Sequence, residues 1–310
     1  MSETSKRLSM PRFSIIIPAR NAAAHLPATL ASIRKQRFAA LEIILMDGAS
    51  EDGTAELARS FPGLEIHVES APDQGQLHAV QKGARIARGE ILYWQNADDV
   101  LLPGSLAEVD RAFRADPSLD LVYSDNFGFD ETRRRLVNGG LIKGLSFADH
   151  SLYYRQLYSD CVFWKRERTR FLPESDYDLR ICTDYAFFLN MRRGLKTRWL
   201  DKRLGAFRIR EGQISQHFLG QFDAEFNRIR EGAYAQMGWS PASIPLRKAL
   251  HWPSFTLRQR LRPSMAAALR AARRAMDGGK KRREMTDAFF DRWLAPELDA
   301  TDELIRLLWR

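Results

Sequence analysis

The feature that most limits what this chain can fold into is a four-residue apolar run that ends in acid. Ile91-Leu92-Tyr93-Trp94 gives way at once to Gln95-Asn96-Ala97-Asp98-Asp99, ahead of Val100-Leu101-Leu102-Pro103. A run of this length and character suits a strand covered on both faces. Adjacent carboxylates at its end repel each other, and they persist most easily where a cation or a set of donors offsets the repulsion. The carboxyl ends of parallel strands are also where open α/β sheets bind their ligands. The plainer alternative is a solvated turn before Pro103.

The pattern recurs upstream. Phe13-Ser14-Ile15-Ile16-Ile17-Pro18 reads as a strand, and Leu26, Leu30 and Ile33 give 26–36 a helical period. Leu41-Glu42-Ile43-Ile44-Leu45-Met46 is a second strand ending at Asp47-Gly48-Ala49-Ser50, with a helix over 55–60 after it. Ile66-His67-Val68 is a third, followed by the turn Ala71-Pro72-Asp73-Gln74-Gly75-Gln76 and a helix over 77–87. Strands alternating with helices predict a mostly parallel sheet whose loops gather on one edge, so Asn21, Asp47, Asp73 and Asp98 are expected in one cleft. Leu119 to Asp125 reads as a further strand ending in acid, and Asp130 to Arg135 as a charged hairpin.

At 310 residues the chain is long enough for one large domain or two modest ones. Cys161 and Cys182 are far apart and lack metal-ligand spacing, which predicts reduced thiols in a cytoplasmic protein. Met1 to Arg12 has no apolar signal core, and no apolar run approaches bilayer length. Of the formal net charge of +9, residues 241–310 carry +7, from 15 Lys+Arg against 8 Asp+Glu. Basicity confined to a tail argues against a global nucleic-acid-binding role.

Neither G-x-G-x-x-G nor G-x-x-x-x-G-K-[ST] is present, so dinucleotide and P-loop sites are not indicated. Acidic strand ends can instead hold Mg²⁺ or Mn²⁺, which uses one or two carboxylates plus substrate phosphates. A second acidic position is Asp184 in Ile181-Cys182-Thr183-Asp184-Tyr185-Ala186-Phe187-Phe188-Leu189, where Thr183 or Asp184 opens a helix. From spacing alone, Asp184 is as readily a helix cap as a reactive carboxylate.

Four stretches in register, Ser14 to Asn21, Asp47 to Thr54, Glu69 to Gln76 and Asn96 to Asp99, resemble the family 2 glycosyltransferases of the GT-A fold. That resemblance implies an α/β, Rossmann-like sandwich with a mostly parallel central sheet over residues 12–216. The nucleotide-sugar half spans about 12–100 and the acceptor half about 101–216. It implies a nucleotide-sugar donor, usually of UDP, and a saccharide or lipid-linked saccharide acceptor. Donor contacts are implied at Pro18, Ala19, Asn21, Asp47, Asp73, Gly75, Gln76, Lys82, Asn96, Ala97, Asp98, Arg208 and Arg210. Asp98, with Asp99, is implied as the metal site, and Phe163, Trp164 and Thr183 as the acceptor region. Asp184 falls where inverting members place their general base. The chain departs from the family pattern at Asn96, which replaces the first acid of D-x-D, at Thr183, where Glu is more usual, and at Arg210, where relatives often carry His.

Residues 217–310 are expected to form a basic helical extension, broken near Trp239 to Pro245, with Pro253 and Pro263 interrupting its amphipathic pattern. It either packs back on the catalytic domain or binds an anionic membrane surface. A nucleotidyltransferase and a non-catalytic GT-A module that binds membrane or a partner are the alternative functional readings.

Overall fold

The structure is a computed structural model that describes residues 10–138, 142–153, 155–210, 213, 219–261 and 283–297. The predicted alternation is present. Strands β1 (Phe13–Ala19), β2 (Leu41–Asp47), β3 (Ile66–Ser70) and β4 (Ile91–Trp94) alternate with helices α1 (Leu26–Arg34), α2 (Thr54–Arg59) and α3 (Gln76–Ile86). After the two-residue β5 (Val100–Leu101) come α4 (Ser105–Ala115), β6 (Leu121–Ser124), β7 (Phe127–Asp130), β8 (Arg135–Asn138) and α5 (Phe147–Leu152). Next are β9 (Val162–Lys165), α6 (Thr183–Arg192), β10 (Thr197–Leu200) and β11 (Gly205–Ile209).

The seven-stranded sheet has the order β10-β6-β9-β4-β1-β2-β3. All its neighbours are parallel except β9, which runs antiparallel to both β4 and β6. A second sheet, β5-β11-β7-β8, lies beside it. The charged hairpin forms as β7–β8, with Asp130 opposite Arg135. The main core is continuous across the larger sheet: Ile15, Ile17, Tyr93, Trp94, Phe163 and Trp164 are all fully buried. Phe163 stacks on Tyr93 at 4.2 Å, and Trp164 meets the edges of Phe187 and Phe188.

Described parts of the extension beyond residue 217 pack on this body. Helix α7 (Phe222–Gln236) lies against α6, where Phe226 joins Cys182, Tyr185 and Leu189 in a small apolar cluster. Helix α8 (Ile244–Leu261) follows a 3₁₀ turn at Pro241–Ser243, and Tyr153 donates to its Lys248 carbonyl at 3.0 Å. α8 runs through Pro253, contrary to the expected interruption. The position is exposed, so water can take the Ala249 carbonyl that proline leaves without its helical donor. A terminal helix over 283–288 continues into the π-helical turn Phe289–Trp293. Phe289, Phe290, Trp293 and Leu294 pack on Val100, Phe127 and Phe129 of the second sheet and on Leu102 just after β5. Trp293 Nε1 donates to the Leu101 carbonyl at 2.9 Å, and Lys35 Nζ donates to the carbonyls of Arg292, Trp293 and Ala295. Pro263, the low-complexity run Gly278 to Arg283 apart from Arg283 itself, and the apolar stretch 304–309 lie outside the described residues. Among the described residues no helix is long and apolar enough to cross a membrane.

Candidate active site

The parallel register sets the strand ends side by side: Ala19 is opposite Asp47, and Asp47 opposite Ser70. Asp47 is buried, and its carboxylate accepts from Ser50 N at 3.1 Å, Ser70 Oγ at 2.5 Å and the Ser50 hydroxyl. The loops after β1 and β2 are laced together. Asn21 N donates to Ser50 Oγ, Ala22 N to Thr54 Oγ1 and Ala23 N to Asp52, while Asn21 Oδ1 accepts from Glu51 N. Asp73 accepts from Gly75 N at 2.8 Å and crowds Gly48, where a Cβ would lie 2.8 Å from its Oδ2. Only glycine at 48 permits that approach.

Asn96 explains its own departure from an acid. Its Oδ1 accepts from Gln76 Nε2 at 3.0 Å and Trp94 Nε1 at 2.9 Å. Its Nδ2 donates to Asp99 Oδ2 at 2.9 Å and Ser159 Oγ at 3.2 Å. A carboxylate here would face Asp99 with no proton to offer, whereas an amide both accepts and donates. Gln76 Oε1 in turn accepts from Thr183 Oγ1 at 2.9 Å, so one hydrogen-bonded chain, Thr183–Gln76–Asn96–Asp99, joins the two halves of the domain.

The two neighbouring acids diverge. Asp98 is partly exposed, with its Oδ2 3.3 Å from both Nε and a terminal nitrogen of Arg210. Asp99 is buried, with Oδ1 accepting from Arg208 N at 2.9 Å. Burial, with Asp98 and Asp160 nearby, pushes the Asp99 carboxyl well above the usual range. Asp99 therefore turns inward, away from any ion at the surface of the cleft. Arg208 is itself buried. Its Nε donates to the Asp98 carbonyl, one terminal nitrogen pairs with Glu131, and the guanidinium lies 4.7 Å above the Phe129 ring. Among the described residues no three His, Cys, Asp or Glu side chains form a metal cluster. Asp98 nonetheless fits a divalent cation completed by donor phosphates, because one carboxylate plus phosphate oxygens is a usual Mg²⁺ arrangement.

Asp184 sits in the first turn of α6, and its Oδ1 accepts from Tyr185 N at 2.8 Å. The side chain keeps an edge open to solvent but is sunk deeply enough that desolvation pushes its carboxyl up to about 7, against that amide bond. Beside it, burial pushes Asp160 up to about 7, although Asn126 Nδ2 reaches both its oxygens at 3.0 and 3.1 Å. Tyr158, also close to Asp184, is pushed up to about 12, first by burial.

Several expected contacts are not in the cleft. Phe163 and Trp164 are interior residues of β9, a strand covered on both faces, and cannot touch an acceptor. Lys82 turns to Glu69 at 3.2 Å. Pro18, Ala19 and Ala97 are buried, and the Ala19 and Ala97 carbonyls are used by Gly48 N and Thr29 Oγ1. Residues that sequence reading passed over are His25, Asn126, Tyr158, Ser159 and Asp160. His25 stands before α1 facing Asp98 and Arg210, and burial followed by the charges of Arg208 and Arg210 holds it below its ordinary value. Asp160 had a signal, since it stands two residues ahead of the apolar β9. An antiparallel strand begins at the edge where its parallel neighbours end, so its leading acid enters the same cleft.

A mostly parallel sheet with an antiparallel insertion, acidic loops on one edge and a desolvated carboxylate across the cleft define a GT-A-type enzyme fold. The family model for glycosyl transferase family 2 matches residues 14–189, and the chain belongs to that family. A PGL/p-HBAD biosynthesis glycosyltransferase of Mycobacterium bovis is 32% identical over 184 residues, 58% of this chain and 69% of the relative. The O-antigen biosynthesis protein RfbC of Myxococcus xanthus is 32% identical over 167 residues, 50% of this chain but 13% of that one. Among solved structures, S. aureus TarS 1-349 in complex with UDP-GlcNAc superposes with a TM-score of 0.60 at 17% identity, over 92% of this chain and 82% of that chain. The longer TarS structure is covered over 42% of its length.

Proposed function

We propose that this enzyme transfers a sugar, with inversion, from a nucleoside-diphosphate donor to an acceptor hydroxyl. Asp184 is the general base. The observation that carries the reading is that Asp184 is desolvated and pushed up to about 7, next in sequence to Thr183, the far end of the hydrogen-bonded chain that starts among the donor-side acids. A base works best when its pKa lies near the working pH. Asp184 takes the proton of the acceptor hydroxyl as that oxygen bonds to the anomeric carbon. The bond from that carbon to the diphosphate oxygen breaks on the opposite face, and the configuration inverts. Asn21, Asp47 and Asp73 border the nucleotide, and Arg210 is released from Asp98 to pair with phosphate oxygens. A divalent metal held by Asp98 would supply positive charge to the leaving diphosphate.

UDP is the first donor to test, supported by the UDP-GlcNAc bound to TarS. Relatives named for PGL/p-HBAD and O-antigen biosynthesis support an acceptor in cell-surface polysaccharide or glycolipid synthesis. Leu246 and Leu250 of α8, 62% and 73% exposed, beside Arg247 and Lys248, support peripheral attachment to an anionic inner membrane face. A donor screen that follows nucleoside-diphosphate release tests the reaction, and pyrophosphate as the product would refute it. Vesicle sedimentation of the full chain against its Leu246→Glu, Leu250→Glu variant tests the attachment; equal pelleting would refute it.

A further inference from the structure

The turn that delivers Asp184 has no capping side chain of its own, because Cys182 occupies the N-cap position of α6 without a side-chain capping bond. Amides at and before a helix start need partners from elsewhere. Three of them converge on one carboxylate of α7. Arg180 N donates to Glu225 Oε1 at 2.8 Å, and Ile181 N and Cys182 N donate to Oε2 at 3.1 and 3.0 Å. The Tyr185 amide goes to Asp184 itself. Two acids thus divide the amides on either side of Thr183, whose hydroxyl is held by Gln76. The apolar contact between α7 and α6 centres on Phe226 against Tyr185, at 4.9 Å. Cys182 joins that contact through its side chain, while the Glu225 carboxylate holds the backbone amides of the turn.

We propose that Glu225 is a positioning residue for Asp184: its carboxylate clamps the 180–182 turn and so fixes where the base meets the acceptor hydroxyl. The proposal rests on Asp184 being the base, and it makes α7 part of the catalytic machinery rather than of an appended tail. Charge-assisted bonds to three successive amides suit this task, because they fix the backbone and not merely a side chain. A small displacement of a catalytic group costs about 10²-fold in rate.

The test compares Glu225→Ala and Glu225→Gln with the unmodified full chain, using two readouts that need no substrate. The first is hydrogen exchange of the peptide spanning 180–185. The second is the titration of Asp184, followed by carbon NMR of labelled aspartate and assigned with Asp184→Asn. With Glu225→Ala, exchange is expected to rise about tenfold or more. The Asp184 midpoint should fall toward that of an ordinary carboxylate, since a loosened turn admits water. Turnover on any accepted donor should drop about 10- to 100-fold, with the UDP-induced thermal shift unchanged. Glu225→Gln, which keeps one acceptor oxygen, should fall between. A folded Glu225→Ala protein with wild-type exchange and wild-type Asp184 titration would overturn the proposal. If Glu225→Ala does not fold, wild-type behaviour of Glu225→Gln in both readouts overturns it, and intermediate behaviour supports it. Full activity of Asp184→Asn would defeat the base assignment, and would do so without altering the exchange result for Glu225.

Discussion

Asp98 and Asp184 flank the two ends of the chain Thr183–Gln76–Asn96–Asp99, yet their surroundings are opposite. Asp98 lies among cations, with Arg210 against its carboxylate and Arg208 against its carbonyl. Asp184 has one amide bond and no ion pair among the described residues, and burial raises it to about 7. An acid that must attract a cation or a phosphate-bound ion benefits from staying ionised and reachable. An acid that must take a proton benefits from being starved of solvation. The same residue type thus stands in two opposite settings, one among cations and one desolvated, which suit the two proposed tasks.

The largest expected effect separates these tasks. Asp184→Asn should lower turnover by about 10³-fold, within the range for loss of a general base, while UDP binding by calorimetry stays within about twofold of wild type. Parallel loss of binding would erase the distinction. Asp98→Ala should do the converse. At about 100 times Kd, UDP with Mn²⁺ should stabilise the wild type by about 2.7 kcal/mol in thermal unfolding. The variant should lose the part of that gain that EDTA removes, and an unchanged metal-dependent gain would take the metal away from Asp98.

The pH dependence of stability sharpens the comparison further. In the folded state Asp184 sits near 7, above its ordinary 3.8, so the folded protein binds that proton more tightly than the unfolded chain does. Its contribution to stability is full below about pH 4 and is lost as pH rises through about 7. Asp184→Asn should therefore match the wild type near pH 4 and exceed it by about 1–3 kcal/mol near pH 8, read from urea midpoints. A variant less stable than wild type at pH 8 would mean that the carboxylate is not desolvated. The smallest effect belongs to Arg210→Gln. This partly exposed pair should cost less than about 1 kcal/mol of stability, while Mn²⁺ affinity without nucleotide rises; weaker Mn²⁺ binding would show that Arg210 does not compete for Asp98.

Much of this arrangement was readable before any coordinates. Ile91 to Trp94 and Leu41 to Met46 are strands because unbroken apolar runs have few other outcomes, and the acids at their ends followed from parallel topology. What stayed hidden depended on pairing across long separations. Phe163 and Trp164 look like surface-ready aromatics until β9 is seen wedged between β4 and β6. Asp160 gains meaning only from the reversed direction of that strand. Glu225 is one acid among several on an amphipathic helix, and nothing local distinguishes it from a solvated one. Asp98 and Asp99 are adjacent in sequence, but the Arg208 amide that turns one of them inward comes from a strand in the other sheet.

The seat of Trp293 carries a consequence for how the protein is made. Lys35 reaches the Trp293 carbonyl across 258 residues of chain, and the indole fills the apolar face of the second sheet. During synthesis Phe127 and Phe129 emerge long before the segment that covers them. Contacts so distant along the chain close slowly and leave apolar surface open in the interval. The newborn chain thus passes through a stage with the apolar face of its smaller sheet uncovered until the 289–294 segment arrives.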